Sequence, residues 1–246
     1  MSLFTKTISL PALGRAMCLL GLALATLRFS FRLIHPVDNT LARLALLACV
    51  GIVLAGGILL FWPRKAFRWS ALFAVAVFGA LVLVPVGPVP DASRLRTHFV
   101  KRLEKNLGKP FVWGAENRRA MDCSGLIRYS MRGAIRTELM ATGNPRLLHL
   151  LVKAWWLDRA ARDFLWPWNG LAEPVLKAAT TPAVDLGQLV PGDVAVTGYG
   201  SHILAYLGDN RWIQADPERG RVVVDTAPAA QGWYKFPVEV LRLRWE

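Results

Sequence analysis

Apolar residues are concentrated at the beginning of this chain, and the pattern changes near Pro90. Before that point, residues 42–62 and 70–86 form two long apolar runs that are almost free of charge. A run of about 20 apolar residues is long enough to cross a bilayer, and the second run reaches that length with the residues just before it. A shorter apolar run covers 17–27. We therefore predict that residues 1–90 form a membrane region with two or three transmembrane helices.

The short run 17–27 leaves three structures open. Its composition fits the core of a signal peptide, an interfacial helix, or a third span that reaches back to Ile8. The basic and aromatic residues at 28–32 follow it, and they do not form a small-x-small cleavage site. We therefore favour an uncleaved third span.

Beyond Pro90 the apolar positions recur at helical spacing in two segments. The first segment, 91–107, stops at a glycine followed closely by a proline, which is typical of a helix end. The second begins after Asp122 and contains the apolar residues Leu126, Ile127, Met131, Ala134 and Ile135. Asp122 is a suitable N-cap, which places Cys123 in the first turn of this helix.

Cys123 is a candidate nucleophile because of that position. The free amides and the positive end of the macrodipole at a helix start favour a thiolate over a thiol. The alternative is a buried, inert cysteine, and a nearby histidine decides between the two. Cys18 and Cys49 lie in the apolar runs, so no cysteine of the second half can pair with Cys123 in a disulfide.

A long segment separates the cysteine helix from the end of the chain, and we predict a helical insertion at about 137–189. Asn144 and Pro145 are typical of a helix start, and the predicted helix runs over 146–166. It is rich in tryptophan and carries basic residues. Three interpretations remain open: packing on the domain core, binding to the bilayer interface, or a lid over an active cleft.

From Asp193 the hydrophobic pattern acquires a period of two, which predicts β-strands. The predicted strands are 194–197, 202–207, 211–215, 221–225 and 238–244. Tight connections between successive strands favour an antiparallel sheet, partly curled, with the cysteine helix packed across it. This is an α+β domain.

Three blocks of sequence follow one another in the second half of the chain. The first runs from Pro110-Phe-Val-Trp-Gly to Asp-Cys-Ser-Gly-Leu126, and the second is Pro-Gly-Asp at 191–193. The third comprises His202, Tyr-Leu-Gly at 206–208 and Ala215. These blocks resemble the NlpC/P60 family of papain-like cysteine peptidases, in the family's order. The resemblance covers roughly residues 96–246 and implies a papain-like NlpC/P60 catalytic domain over 91–246, after the membrane region.

The resemblance implies a thiol mechanism in which Cys123 is the nucleophile, His202 the base and Gln214 the orienting residue. We expect the resting pair to be largely thiolate and imidazolium, with the backbone N–H of Cys123 donating to the oxyanion. A simple two-residue turn at 209–210 would place His202 and Gln214 on opposite faces of the sheet. We therefore predict a bulge or an odd-length turn, which returns both side chains to one face.

The resemblance also implies which residues bind substrate: Asp122, Ser124, Phe111 and Trp113. In the family, the position of Phe111 usually carries a tyrosine that holds the scissile carbonyl, and Phe111 lacks that hydroxyl. Leu204 stands where the family often has glycine, and Gln214 where it often has histidine. These differences leave the substrate open.

The function implied by the resemblance is hydrolysis of peptide bonds in peptidoglycan stem peptides, at the γ-D-glutamyl–diamino-acid bond. The alternatives are a membrane-facing acyltransferase or amidase acting on a lipid or lipopeptide, and a non-catalytic domain that binds wall fragments. Cofactors are not expected, and the spacing of His and Cys residues does not suggest a metal site. The expected partners are peptidoglycan or muropeptides and membrane lipid.

The net charge of +13 at pH 7 is spread over both halves of the chain. No basic run or aromatic–glycine signature of a nucleic-acid module accompanies it, so an anionic lipid or wall polymer is the better partner. Arg64, Lys65 and Arg68 favour a cytoplasmic turn between the long apolar runs, but the basic segment after residue 93 favours a cytoplasmic catalytic domain. We predict a bacterial inner-membrane protein with its catalytic domain outside, because the implied substrate lies there.

Overall fold

The computed structural model describes residues 9–34, 40–156, 160–166, 170 and 172–245. The chain forms two compact units, one within residues 1–80 and the other mainly within 81–246. The first unit is built from α1 (Leu10–Ile34), α2 (Thr40–Leu60) and α3 (Lys65–Leu83), of which the last turn belongs to the second unit. Each of the three helices contains a segment long and apolar enough to cross a membrane, and in α1 this segment is Leu10–Ser30.

Glycines allow α1 and α2 to pack with their backbones in close contact. A Cβ on Gly14 would lie 2.7 Å from the carbonyl oxygen of Gly56, and a Cβ on Gly56 would lie 2.9 Å from the backbone nitrogen of Cys18. Small residues at helix interfaces are typical of membrane helices, because lipid supplies no hydrophobic force to drive their association. The apolar segment that the sequence left open therefore forms part of a packed helix pair.

The second unit is an α+β domain, as predicted. Its helices are α4 (Ala92–Glu104), α5 (Cys123–Thr142) and α6 (Pro145–Trp156). Its strands are β1 (Ala172–Ala178), β2 (Val194–Thr197), β3 (His202–Gly208), β4 (Arg211–Asp216), β5 (Arg221–Thr226) and β6 (Val238–Leu243). They form one sheet in the order β1-β6-β2-β3-β4-β5, with antiparallel neighbours throughout.

Helix α5 packs across one face of this sheet and forms the main core. Leu126 and Ile127 of α5 are fully buried in one cluster with Ile203 of β3 and Ile213 of β4. Helix α4 adds Leu95, Phe99 and Leu103 to the same cluster. Because α5 begins at Cys123, this packing fixes the position of the thiol relative to the strands.

The insertion differs from the helical segment predicted for 137–189. Its first residues belong to α5, and it contains strand β1, which was not predicted. Pro174 interrupts the alternation there, and proline is tolerated because β1 is an edge strand with a register shift between Pro174 and Leu176. The predicted helix over 146–166 is also too long: α6 ends at Trp156, Ala160 is extended, and Ala161–Leu165 form a 3₁₀-helix. Residues 157–159 lie outside the described part of the chain.

The described part of the insertion packs on the domain core. Leu147, Leu150 and Ala154 of α6 and Phe164 of the 3₁₀-helix are buried in the main cluster. This favours core packing among the three interpretations of the insertion. Trp156 and Trp166 remain exposed at its surface.

Asp193 of the Pro-Gly-Asp block ties β2 to β6. The buried carboxylate accepts two hydrogen bonds from Arg242, at 2.9 Å from Nε and 2.8 Å from the second guanidinium nitrogen, and a third from the backbone amide of Val190 at 2.9 Å. An ionised carboxylate that accepts two bonds from one guanidinium is among the stronger polar pairs in proteins.

Asp193→Asn should destabilise the domain, because one amide oxygen cannot replace both carboxylate oxygens and Arg242 would lose its charged partner. We expect the free energy of unfolding to fall by about 2–4 kcal/mol. This corresponds to a fall of roughly 5–10 °C in the thermal midpoint, measured by tryptophan fluorescence on the full chain in detergent. Glu173→Gln is the matched control, because Glu173 pairs with Arg244 of the same C-terminal segment but both side chains are largely exposed. Glu173→Gln should lower the free energy of unfolding by at most about 1 kcal/mol. Equal effects of the two variants would contradict this role of Asp193.

Candidate active site

Asp122 positions Cys123 at the start of α5. Its side chain caps the helix by accepting from the backbone amide of Gly125 at 2.5 Å and from the hydroxyl of Ser124 at 3.0 Å. Its second oxygen accepts from the amide of Gly114 at 2.8 Å, which joins the preceding loop to the helix. The predicted N-cap is therefore confirmed. Asp122 and Ser124 are both buried and bonded to each other, and their binding of substrate remains a prediction.

The loop before Cys123 is held against α5 by close packing and by charge. Any side chain on Gly125 would overlap the carbonyl oxygen of Ala115. Glu116 in the same loop is buried and accepts from Arg128 of α5, with Oε2 3.1 Å from Nε, and it also pairs with Arg132. The middle of the loop is therefore held against the helix that begins at the thiol.

Phe111 and Trp113 lie in this loop, on the approach to Cys123. Phe111 is partly buried against the core, and its ring meets that of Trp113 edge to face, with centroids 5.3 Å apart. Trp113 is 68% exposed, so an aromatic surface is available next to the cysteine helix. Their predicted contact with substrate remains a prediction.

His202 and Gln214 are brought together by the predicted bulge. Ala205 pairs with Ile213, and the register shifts between Tyr206 and Gly208, so the hairpin combines a two-residue turn with one extra residue in β3. The two side chains therefore share a face, and Nε2 of His202 lies 2.7 Å from Oε1 of Gln214. Both residues are at most 2% exposed.

The imidazole of His202 is also enclosed by its neighbours in the fold. The indole of Trp233 stacks on it, with centroids 4.5 Å apart and planes 19° apart. The loop that precedes His202 is supported by the insertion, because a Cβ on Gly200 would lie 2.7 Å from the Cα of Arg162. On the α5 side, Cys123 is buried in the same cluster as Ile203, which follows His202 in β3.

Gln214 has further polar partners that were not predicted from the sequence. Its amide nitrogen lies 3.0 Å from the hydroxyl of Tyr234 and 3.3 Å from a carboxylate oxygen of Asp225. Asp225 in turn receives two hydrogen bonds from Arg219. These groups line a cavity of about 600 Å³ between β4, β5 and the β5–β6 connection.

Comparison with known proteins identifies this arrangement. The model of the NlpC/P60 family matches residues 108–242, more than half of the chain and the whole of the site described above. The chain belongs to the NlpC/P60 family. The resemblance seen in the three sequence blocks is thereby confirmed.

Individual relatives are distant. The murein DD-endopeptidase MepH of Escherichia coli (strain K12) is 25% identical over 163 residues, which cover 64% of this chain and 51% of that protein. The chain therefore spans about half the length of this curated relative. Among solved structures, the peptidoglycan hydrolase RipB of Mycobacterium tuberculosis is 19% identical, with a TM-score of 0.41 over 73% of this chain and 83% of that chain. An N-acetylmuramoyl-L-alanine amidase from Bacteroides uniformis is 14% identical, with a TM-score of 0.43 over 61% and 99%.

The electrostatics of this NlpC/P60 site do not favour the resting ion pair that we expected. Burial and the neighbouring Asp122 carboxylate raise the pKa of Cys123 to about 11, against the opposing effect of hydrogen bonds from the amides of Ile203, Ser124 and Cys123 itself. Burial lowers the pKa of His202 to about 4, although Gln214 and Asp216 act in the opposite direction. Desolvation thus outweighs the amide hydrogen bonds at the helix start, and both pKa shifts favour a neutral thiol and a neutral imidazole.

The alkylation rate of Cys123 should therefore rise continuously with pH. A raised thiol pKa means that the thiolate fraction grows as pH rises, and we expect no plateau between about pH 6 and 9. The measurement is iodoacetamide labelling of the full chain, followed by mass spectrometry of the peptide that contains Cys123. The labelling of Cys18, measured in the same digests, is the reference for a thiol outside the site. A plateau in the alkylation rate at neutral pH that is lost in His202→Ala would contradict a neutral resting pair and support a thiolate–imidazolium pair.

Proposed function

We propose that this protein is a membrane-anchored cysteine peptidase that hydrolyses peptide bonds of peptidoglycan stem peptides. The observation that carries the proposal is the site itself. An NlpC/P60 domain places the thiol of Cys123 at a helix start, beside the strand on which His202 is hydrogen-bonded to Gln214. A thiol, a base and a residue that orients the base are the components of nucleophilic acyl transfer.

In this mechanism the thiol attacks the scissile carbonyl as His202 removes its proton. Because Gln214 occupies Nε2 of His202, Nδ1 is the ring nitrogen that serves the thiol. A neutral starting pair means that proton transfer accompanies the attack. The backbone amide of Cys123 is the proposed oxyanion donor, and such a donor contributes about 3 kcal/mol in comparable sites. The imidazolium then protonates the leaving amine, and water hydrolyses the thioester with His202 again as base.

The substrate class follows from the family and from charge. MepH, a family relative of this chain, is described as a murein DD-endopeptidase. Peptidoglycan is an anionic polymer, and the chain carries a net charge of +13 at pH 7, which attracts it. Within the stem peptide, we propose that Asp122 and Ser124 receive the free amine of the first residue, with Phe111 and Trp113 against its backbone.

We also propose that the chain is anchored in the bacterial inner membrane with its second unit on the outer face. Three helices have the length and hydropathy of membrane spans, which supports the anchor. The orientation rests on the substrate, because peptidoglycan lies outside the membrane. An outward catalytic unit also agrees with a cytoplasmic turn that carries Arg64, Lys65 and Arg68.

The test is digestion of purified muropeptides by the full chain in detergent, with product masses determined by mass spectrometry. We expect cleavage at the γ-D-glutamyl–diamino-acid bond, and none with Cys123→Ala. Cysteine-dependent cleavage of D,D cross-links would support a cysteine peptidase but assign a different scissile bond. A folded wild-type chain that cleaves no muropeptide would overturn the proposal. Labelling of Cys123 by an electrophilic probe in that protein would then favour a lipid or lipopeptide substrate.

A further inference from the structure

The orienting residue of this site is an amide, and an amide does not by itself fix the tautomer of a histidine. A carboxylate only accepts hydrogen bonds, so the histidine ring nitrogen that faces it must carry the proton. Gln214 has an accepting end and a donating end, and the two can exchange by a flip of the side chain. The flipped amide would donate to Nε2 of His202 and leave the proton on Nδ1, the nitrogen that the proposed mechanism uses as base.

We propose that Asp225 and Tyr234 are positioning residues that hold the Gln214 amide in one orientation and thereby set the tautomer of His202. The proposal deepens the proposed function, on which its kinetic part rests. It assigns Nε2–H to His202 in the resting site and leaves Nδ1 as the base.

The direction of each hydrogen bond follows from the chemistry of the groups. Tyr234 Oη lies 2.7 Å from Oδ2 of Asp225, and a carboxylate can only accept, so the single hydroxyl proton of Tyr234 points to Asp225. The hydroxyl oxygen can therefore only accept from Gln214, 3.0 Å away. Asp225 itself also accepts from Gln214, at 3.3 Å. Both partners require the amide nitrogen, so the amide oxygen faces His202.

Arg219 keeps the carboxylate of Asp225, from which this hydrogen-bond network starts, negatively charged. It contacts both carboxylate oxygens of Asp225 and also Asp216, at 2.6 Å from Nε. The Arg219 guanidinium is the main cause of the lowered pKa of Asp225, so this carboxyl group is ionised at neutral pH. An ionised Asp225 has no proton to donate, which excludes the reverse orientation of Tyr234 and Gln214.

Burial raises the free-energy cost of a flipped Gln214 amide. Gln214 is 1% exposed and Tyr234 is 5% exposed, so little of either side chain is open to the water of the adjoining cavity. A flipped amide would set its oxygen against the carboxylate of Asp225 and the lone pairs of Tyr234. Unsatisfied buried polar groups of this kind cost about 1–3 kcal/mol each.

Asp225→Ala should release the network. The carboxylate that accepts from both Gln214 and Tyr234 is gone, so the hydroxyl of Tyr234 can turn its proton towards Gln214. A flipped Gln214 amide can then accept from Tyr234 and donate to Nε2 of His202. Part of the His202 population should therefore carry its proton on Nδ1 and lose its function as a base.

The primary test is nuclear magnetic resonance of the full chain in detergent, labelled with ¹⁵N at its four histidines. His202→Gln assigns the His202 signals, and the ¹⁵N shifts distinguish protonated from unprotonated ring nitrogens. We expect Nε2–H alone in the wild type and a mixture of Nε2–H and Nδ1–H in Asp225→Ala. Asp185→Ala makes the same chemical change on an exposed turn and should leave the wild-type tautomer. A wild-type Nδ1–H tautomer, or an unchanged tautomer in folded Asp225→Ala, would overturn the proposal.

A rescue variant keeps the test decisive if Asp225→Ala does not fold. In the double variant Gln214→Glu, Asp225→Ala, a carboxylate replaces the amide and the total charge near Arg219 is kept. That carboxylate can only accept, so Nε2–H should return. A double variant that folds and shows Nδ1–H would contradict the proposed control of the tautomer.

Kinetics with muropeptides provide the second readout. Asp225→Ala should lower kcat by roughly 2- to 10-fold, because a smaller fraction of His202 then has a free Nδ1 to act as general base, with KM nearly unchanged. The double variant should recover part of kcat. If the wild type cleaves no muropeptide, the proposed function fails, but the tautomer measurement still decides this inference. A fall in thermal stability with an unchanged tautomer would reduce Asp225 to a structural residue.

Discussion

Cys123→Ser is expected to abolish turnover while leaving the fold intact. The change replaces one sulfur by oxygen at a buried position of about the same shape. A serine hydroxyl is far less acidic than a thiol, and the imidazole of His202 is a weak base because burial lowers its pKa to about 4. We expect kcat to fall by at least about 1,000-fold, since the pair acts as a unit in nucleophilic catalysis.

The matched control is Cys18→Ser, which makes the same change in α1, outside the proposed site. The thiol of Cys18 is 3.7 Å from the carbonyl oxygen of Val53, and a hydroxyl can replace that contact. Activity should be retained. Equal loss in both variants would indicate a general effect of thiol replacement, and retained turnover in Cys123→Ser would remove Cys123 from the mechanism.

Gly125→Ala should disrupt the site from within the helix. Alanine is normally favoured over glycine inside a helix by about 1 kcal/mol. Here its methyl group would overlap the backbone carbonyl of Ala115 and lie 3.0 Å from the capping oxygen of Asp122. Either the loop or the start of α5 must move, which displaces the thiol. We expect a net destabilisation of about 3 kcal/mol and loss of activity.

Gly133→Ala is the control in the same helix. The three atoms nearest to its Cβ would all belong to the side chain of Arg102, with Cδ at 3.1 Å, and that flexible chain can shift. The variant should be neutral or slightly stabilising, with full activity. The measurements are thermal unfolding and muropeptide cleavage by the full chain. Similar behaviour of the two variants would show that the close contact with Ala115 does not constrain the site.

The parts of the site that depend on local sequence could be predicted. Asp122 as N-cap and Cys123 in the first turn follow from residues that are adjacent in the chain. The bulge between β3 and β4 follows from counting, because His202 and Gln214 share a face only if one extra residue is inserted. Strand β1 was missed because Pro174 breaks the alternation, and only its pairing with β6 makes it a strand.

The parts that depend on burial and on distant contacts could not be predicted. The sequence shows that Cys123 starts a helix, which lowers a thiol pKa, but it does not show how little water reaches the site. Burial reverses the expected ionisation of both Cys123 and His202. Likewise, Asp225 and Tyr234 reach Gln214 only through the pairing of β4 with β5 and the path of the following loop, and no local pattern indicates this.

The central claim is that Cys123 carries out hydrolysis of a peptidoglycan peptide bond, and isotope incorporation tests it most directly. The full chain in detergent and its Cys123→Ala variant would be incubated with muropeptides in H₂¹⁸O, and the products weighed by mass spectrometry. Attack of water on a thioester predicts that the wild type places one ¹⁸O atom in the new carboxyl group and that the variant forms no product. Product formation by the variant, or no product from a folded wild type, would contradict the claim.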